Sequence, residues 1–207
     1  MKTNNNRTPK KGYTLPKKEK DAVNLWRRFF AYLLDWLFGT FFAAFPVVIL
    51  NGIVQNTTVV TDDLLTIPYP YSYIGGGLAL LFSFIYFVFI PLKIWKGETV
   101  GKHLMHMKIV RTDGREVGFI SLVLRNMFGM ILIEGALFTT STYLRQMAAL
   151  ATGEVRVMQY LYYVGIGITI ISILLVMFTN SNQAVHDLIG KTRVRMNPSK
   201  EVPNLRK

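Results

Sequence analysis

Apolar residues along the chain gather into four long blocks separated by polar, charge-bearing stretches, a pattern that predicts four bilayer-spanning helices. The blocks fall at residues 29–50, 73–94, 119–140 and 159–179. Each is long enough to cross ~30 Å of hydrocarbon at about 1.5 Å per residue. The first follows a polar, lysine-rich stretch and has no clear small-residue cleavage site after it, so it reads as a retained helix rather than a secretory signal. The third is the least apolar, holding Arg125, Asn126 and Glu134, yet it has too few charges for a soluble surface helix. Pro46 and Pro91, near the ends of their spans, read as kinks or exits, and Gly75-Gly76-Gly77 reads as a place of close helix packing.

Charge orients these blocks. The chain has 207 residues, is 51% hydrophobic and carries a formal charge of +12, a pairing of apolar and basic character that fits a membrane protein better than a soluble domain. Nine Lys and Arg precede the first block, none lies in 51–72, six lie in 93–118, two in 141–158 and six in 180–207. The positive-inside tendency then predicts both termini and the middle loop in the cytoplasm. Nucleic-acid binding does not account for that alternation. Trp26 and Trp95 fall at the predicted inner border, and Tyr69, Tyr71, Tyr73, Tyr160, Tyr162 and Tyr163 at the outer one, where such rings favour the headgroup level. Cysteine is absent, so disulfide frameworks and thiolate metal sites are excluded. Residues 1–25 and 197–207 are polar tails with little apolar surface to bury. They are expected to be disordered, the first in contact with anionic lipid of the inner leaflet.

Three charged residues lie in the interior of the spans, and burying each costs about 2.5–3.5 kcal/mol on insertion scales. Asp35 lies about 9 Å into the first span, and Arg125 at matching depth in the third. A carboxylate–guanidinium pair between them is expected, with Arg28, seven residues before Asp35 on the same helix face, as a second partner. Such a pair is either a clasp holding two helices in register or the lining of a polar cavity that handles an ion or proton. Glu134, nine residues beyond Arg125, falls about half a turn away and some 13 Å further out on a straight α-helix. It is expected to stand alone, as a proton carrier or as a protonated acid bonded to a neighbouring helix.

Between the spans, "KIVRTDGREVGF" alternates around Asp113-Gly114, a turn pair suited to a tight β-hairpin. After the last span, residues 183–189 suggest one amphipathic turn, then Gly190, then an extended "KTRVRM" available to pair with that hairpin. "GETVGKH" fails as a phosphate loop, because its glycines are one residue too close and His103 stands where Ser or Thr is required. His103, His106 and His186 show no carboxylate spacing or supporting shell for a metal and read as interfacial, solvent-touching side chains. No nucleophile–base arrangement is visible, so no enzyme activity and no cofactor are expected.

Four blocks together, "WRRFFAYLLD", "GETVGKHLMHMKIVRTDGREVG", "LRNM" and "HDLIGKTRV", resemble the RDD family of small bacterial membrane proteins, over roughly residues 27–195. Arg28 and Asp35 match its first-helix Arg and Asp. Gly97, Thr99, Gly101 and Lys102 match its loop motif, and Asp113 and Gly114 the turn. Arg125 matches the third-helix Arg, and His186, Asp187 and Thr192 the C-terminal motif. The chain departs from the pattern in His103 and His106, a distinct fourth span and a long tail. The resemblance implies a transport role, with sodium–proton antiport proposed for some members. The expectation is therefore an all-α, four-helix polytopic protein of the bacterial inner membrane, spanning residues 26–196, with both ends and a short β-hairpin cytoplasmic. It would carry an ion or small solute past Asp35 and Arg125 and assemble as a homo-oligomer or with a membrane partner. The contrasting expectation is a non-transporting membrane partner or regulator of an envelope protein or stress response, and a third is binding of a lipid or small amphiphile between the helices.

Overall fold

In a computed structural model, residues 23–179 and 181–197 are described; the polar tails expected at 1–25 and 197–207 fall almost wholly outside them. Helix α1 (Leu25–Gln55) is capped by the Asn24 side chain, which accepts from the Trp26 amide at 2.9 Å, and runs helical past Pro46. Helix α2 (Tyr71–Phe84) continues as a π-helix over Ile85–Ile94 that contains Pro91. A short α3 (Val100–Leu104) leads into strand β1 (Met107–Arg111). Helix α4 (Phe119–Leu122) continues as a second π-helix over Val123–Glu134. Helices α5 (Thr139–Thr152), α6 (Arg156–Phe178) and α7 (Val185–Ile189) follow, then strand β2 (Thr192–Met196).

α1, α2 with its continuation, and α6 are long and apolar enough to cross a membrane. A fourth crossing exists if the bent pair 119–134 and 139–152 counts as one. Their outward faces carry large apolar side chains such as Phe41, Ile53, Leu81, Tyr163 and Phe178, all exposed. So much contiguous apolar surface is costly in water and natural in lipid.

The expected continuous third span over 119–140 is not what forms. The helix stops at Glu134, Gly135 takes a positive φ of 29°, and α5 starts at Thr139 on an axis turned by 60°. Irregular backbone within a membrane domain requires its polar groups to be met by other protein groups. Here Arg145 Nη1 donates to Gly135 O at 2.6 Å, Trp36 Nε1 to Leu137 O at 2.7 Å, and Thr169 Oγ1 to Glu134 O at 2.7 Å. The broken backbone is thus held by side chains from α1, α5 and α6.

The expected hairpin is also corrected. β1 pairs antiparallel with β2, Met107 opposite Met196 through Arg111 opposite Thr192. The Asp113-Gly114 turn does form, with Gly114 at φ 87°, but its return leg contributes a single bridge, Val110 to Glu116. Five residue pairs with the C-terminal segment outweigh one local bridge. The sheet closes one end of the bundle, where α3, α7 and the start of α1 meet; this is the sheet end.

Two buried apolar clusters fill the helical layer. Val47, Leu64, Ala79 and Tyr143 lie in one, Tyr86, Phe87, Met130, Ile131 and Phe138 in the other. Two of the three consecutive glycines do pack closely: a Cβ on Gly75 would come within 3.1 Å of Leu64, and one on Gly76 within 2.3 Å of Met147 Sδ, whereas Gly77 faces open space.

Candidate functional site

Asp35 and Arg125 do not pair. Each is buried at the sheet end, 2% and 3% exposed, but each finds partners in a segment that helical depth alone could not place. Asp35 accepts from Tyr86 Oη at 3.0 Å, Thr99 Oγ1 at 2.6 Å, the Gly101 amide at 2.8 Å and Lys102 Nζ at 2.6 Å. These donors come from α2's continuation and from the first turn of α3. α3 approaches so near that a Cβ on Gly101 would sit 2.2 Å from the Ala31 carbonyl. Gly101 is required here by space, and Thr99, Gly101 and Lys102 together are the receptor for the α1 carboxylate. Burial lowers the Lys102 ammonium pKa from its ordinary value, against the opposing pull of Asp35. Gly97 positions this turn: its φ is 80°, and a Cβ there would strike Ile109 O at 2.4 Å, so the loop can lie flat on β1 only with glycine.

Arg125 instead meets α7. Its Nε donates to Asp187 Oδ1 at 3.1 Å, its Nη1 to Asn126 Oδ1 at 2.8 Å, and its Nη2 lies 3.1 Å from His186 Nε2. Arg28 reaches the same aspartate, Nη2 to Asp187 Oδ2 at 3.2 Å, and also donates to the Asn182 carbonyl. Arg28 is therefore not a partner of Asp35. Asp187, fully buried, accepts further from the Ala184 amide and Thr192 Oγ1. Burial alone would raise its pKa, but the guanidinium groups of Arg125 and Arg28 outweigh burial and hold it well below the usual carboxylate range.

Glu134 does not stand alone. Its Oε1 accepts from Ser172 Oγ and the His186 amide, each at 2.8 Å, and its Oε2 lies 2.9 Å from His186 Nδ1. The π-helix explains the meeting. Its bonds run five residues back, as Gly135 N to Met130 O does, giving about 4.4 residues per turn. Nine residues then make about two full turns, and Arg125 and Glu134 share a face on which α7 lies. Gly129, between them, permits that contact, because a Cβ there would come within 2.8 Å of His186 Cα. Arg has no acceptor, so His186 Nε2 accepts from Arg125 and its proton sits on Nδ1, donated to Glu134. His186, expected at an interface, is buried at the centre of the network.

The remaining sequence candidates are peripheral. Asp113 accepts from the Arg115 amide and pairs with Arg111 at 3.2 Å on the exposed turn. His103 stacks on Trp95 with ring centroids 4.2 Å apart and meets the buried Glu98 at 2.7 Å, while His106 is exposed. Among the described residues, no group of three or more metal-ligating side chains gathers.

The two charged networks share one cavity of about 410 Å³ between the start of α1 and the end of α6. Arg28, Lys102, Arg125, Glu134 and His186 line its floor. Tyr86, Asn126 and Ser172, none of them a site candidate from the sequence, complete the networks; their only signal is polarity within apolar helix.

Residues 22–191 match the RDD family. The chain belongs to the RDD family. The match ends within the turn before β2, so Arg28, Asp35, the Thr99–Lys102 turn, Arg125 and the His186-Asp187 pair of this RDD protein all lie inside it. No curated protein and no solved structure matches the chain.

Proposed function

We propose that this RDD-family membrane protein transports an ion or small solute across the bacterial cytoplasmic membrane, with the sheet end inside, and that it exchanges a monovalent cation against a proton. One observation supports the reading above others: an acid–imidazole pair, Glu134 and His186, buried between helices yet lining the cavity. Intramembrane ionisable groups that line a cavity are the usual carriers of coupled protons.

The site differs from the one that helix depth pointed to. Asp35 is saturated by four donors and is absent from the cavity wall, so it acts as the clasp that fastens the Thr99–Lys102 turn to α1. Glu134 Oε1 holds three bonds and Oε2 only the His186 contact. An incoming proton therefore goes to Oε2. Arg125 keeps His186 Nε2 occupied, which confines the exchange to the carboxylate. A continuous path to the opposite face needs walls beyond these helices, which a second copy of the chain would supply.

Purified protein in vesicles holding a pH-sensitive dye and an imposed pH gradient tests this. Addition of sodium or potassium salt is expected to dissipate the gradient faster than in protein-free vesicles. No cation-dependent change at any pH would overturn the transport reading and favour a non-transporting membrane partner.

A further inference from the structure

The cavity described above is sided. Its floor presents Arg28, Lys102 and Arg125 with one carboxylate, Glu134, while the carboxylates that pair with those cations, Asp35 and Asp187, are not part of the wall. With those two acids outside the lining, the small polar part of the surface offered to an occupant holds three cationic side chains against one carboxylate, although the whole network is balanced. Donors remain: Arg28 uses Nη1 on the Asn182 carbonyl and Nη2 on Asp187, and Lys102 uses its ammonium on Asp35 and Thr99, leaving N–H groups beyond those bonds. The walls are of the opposite character, with Phe29 and Leu25 from α1 and Ile173, Val176 and Met177 from α6.

We infer that this cavity binds an anionic phospholipid of the surrounding bilayer, with the headgroup phosphate against Arg28, Lys102 and Arg125 and an acyl chain between α1 and α6. Position and chemistry agree. The cavity opens within the first two turns of α1 and the last three of α6, the level at which headgroup gives way to chain, and Trp26 stands exposed at its edge. Basic pockets between membrane helices recognise anionic headgroups by this arrangement, and a zwitterionic lipid brings an ammonium to a floor that already holds three cations. Bound there, the lipid also touches Ala184 and His186, so it braces the inserted α7. The inference concerns binding and does not need transport.

The test uses the full chain with Trp36→Phe and Trp95→Phe, which leaves Trp26 as the sole tryptophan among the three. It is reconstituted in phosphatidylcholine vesicles containing a small fraction of brominated phosphatidylglycerol or brominated phosphatidylcholine, and Trp26 quenching is read. Stronger quenching by the anionic lipid is expected, with the apparent preference falling about fivefold in Arg28→Gln. Val176→Phe in the same single-tryptophan chain fills the apolar slot without removing any charge and is expected to abolish the preference. Equal quenching by both lipids overturns the inference. So does a preference that survives the filled slot, which would place the lipid on the basic tail, or one that millimolar inorganic phosphate removes, which would make this a free-anion site. Cation flux that fails while the lipid preference persists counts against transport alone.

Discussion

Replacing Asp35 by Asn keeps the shape of the side chain and removes its charge, which isolates what the carboxylate does at the sheet end. The Asn oxygen can still accept from Tyr86 and the Gly101 amide, which share Oδ1. Its NH₂ group would then face Lys102 Nζ and Thr99 Oγ1, where Oδ2 now accepts two donors at 2.6 Å each. Lys102 is left as a largely buried ammonium, its side chain 12% exposed, without an anion. Breaking a buried pair by removing one partner costs ~3–5 kcal/mol. For a chain of this size that corresponds to a fall of ~10 °C in the thermal midpoint. Thermal unfolding in a mild detergent measures it. Adding Lys102→Met to Asp35→Asn removes the orphaned ammonium and lets the Asn NH₂ donate to Thr99. The double variant is therefore expected to be more stable than Asp35→Asn alone, with a coupling of about 2 kcal/mol or more in the cycle. Additive losses would refute the argument that this pair fastens α3 to α1.

The other tests concern α7. Asp187, with its folded pKa depressed, contributes stability that is fully present above the ordinary aspartate value of about 3.9 and is lost as pH falls below it toward the folded value. A midpoint flat from pH 8 to about 5 and falling below about 4 is expected, with that acid-side slope reduced in Asp187→Asn when the two are compared by thermal scans. Asp187→Asn should also cost ~3–5 kcal/mol, since Arg125 and Arg28 lose their shared anion. Gly129→Val places a side chain where His186 Cα lies 2.8 Å from the built Cβ. It should expel α7 and expose the segment after Thr179 to protease, whereas an unchanged cleavage pattern would argue that α7 does not seat there. Trp36→Phe removes the donor to Leu137 O and should cost ~1–3 kcal/mol, because a carbonyl on this apolar outer face is left without a donor.

The long apolar blocks and the basic clustering were readable because hydrophobic length and charge placement are local properties. Partner choice was not. Depth along the helices matches Asp35 with Arg125, but three of the four donors that reach Asp35 sit on the Thr99–Lys102 turn after α2, and a loop's approach to a helix leaves no period in the sequence. Glu134 is solitary on α-helical phasing but not on the π-helical winding that Val123–Glu134 adopts. The Asp113-Gly114 turn was legible from its dipeptide. The strand that pairs with β1 lies some eighty residues away, and no local signal ranks it above the neighbouring leg. The break at Gly135 was hidden because the groups that satisfy its backbone, Trp36, Arg145 and Thr169, are scattered over three other helices.

In the proposed exchange, Glu134 is the group that would take up the transported proton. Glu134→Gln keeps bonds to Ser172 and the His186 amide but cannot exchange a proton. Measured by cation-driven dissipation of a pH gradient in vesicles, beside a thermal scan confirming that the variant folds, it is expected to fall to the protein-free rate. A folded Glu134→Gln protein that dissipates the gradient as fast as the unaltered chain would contradict it.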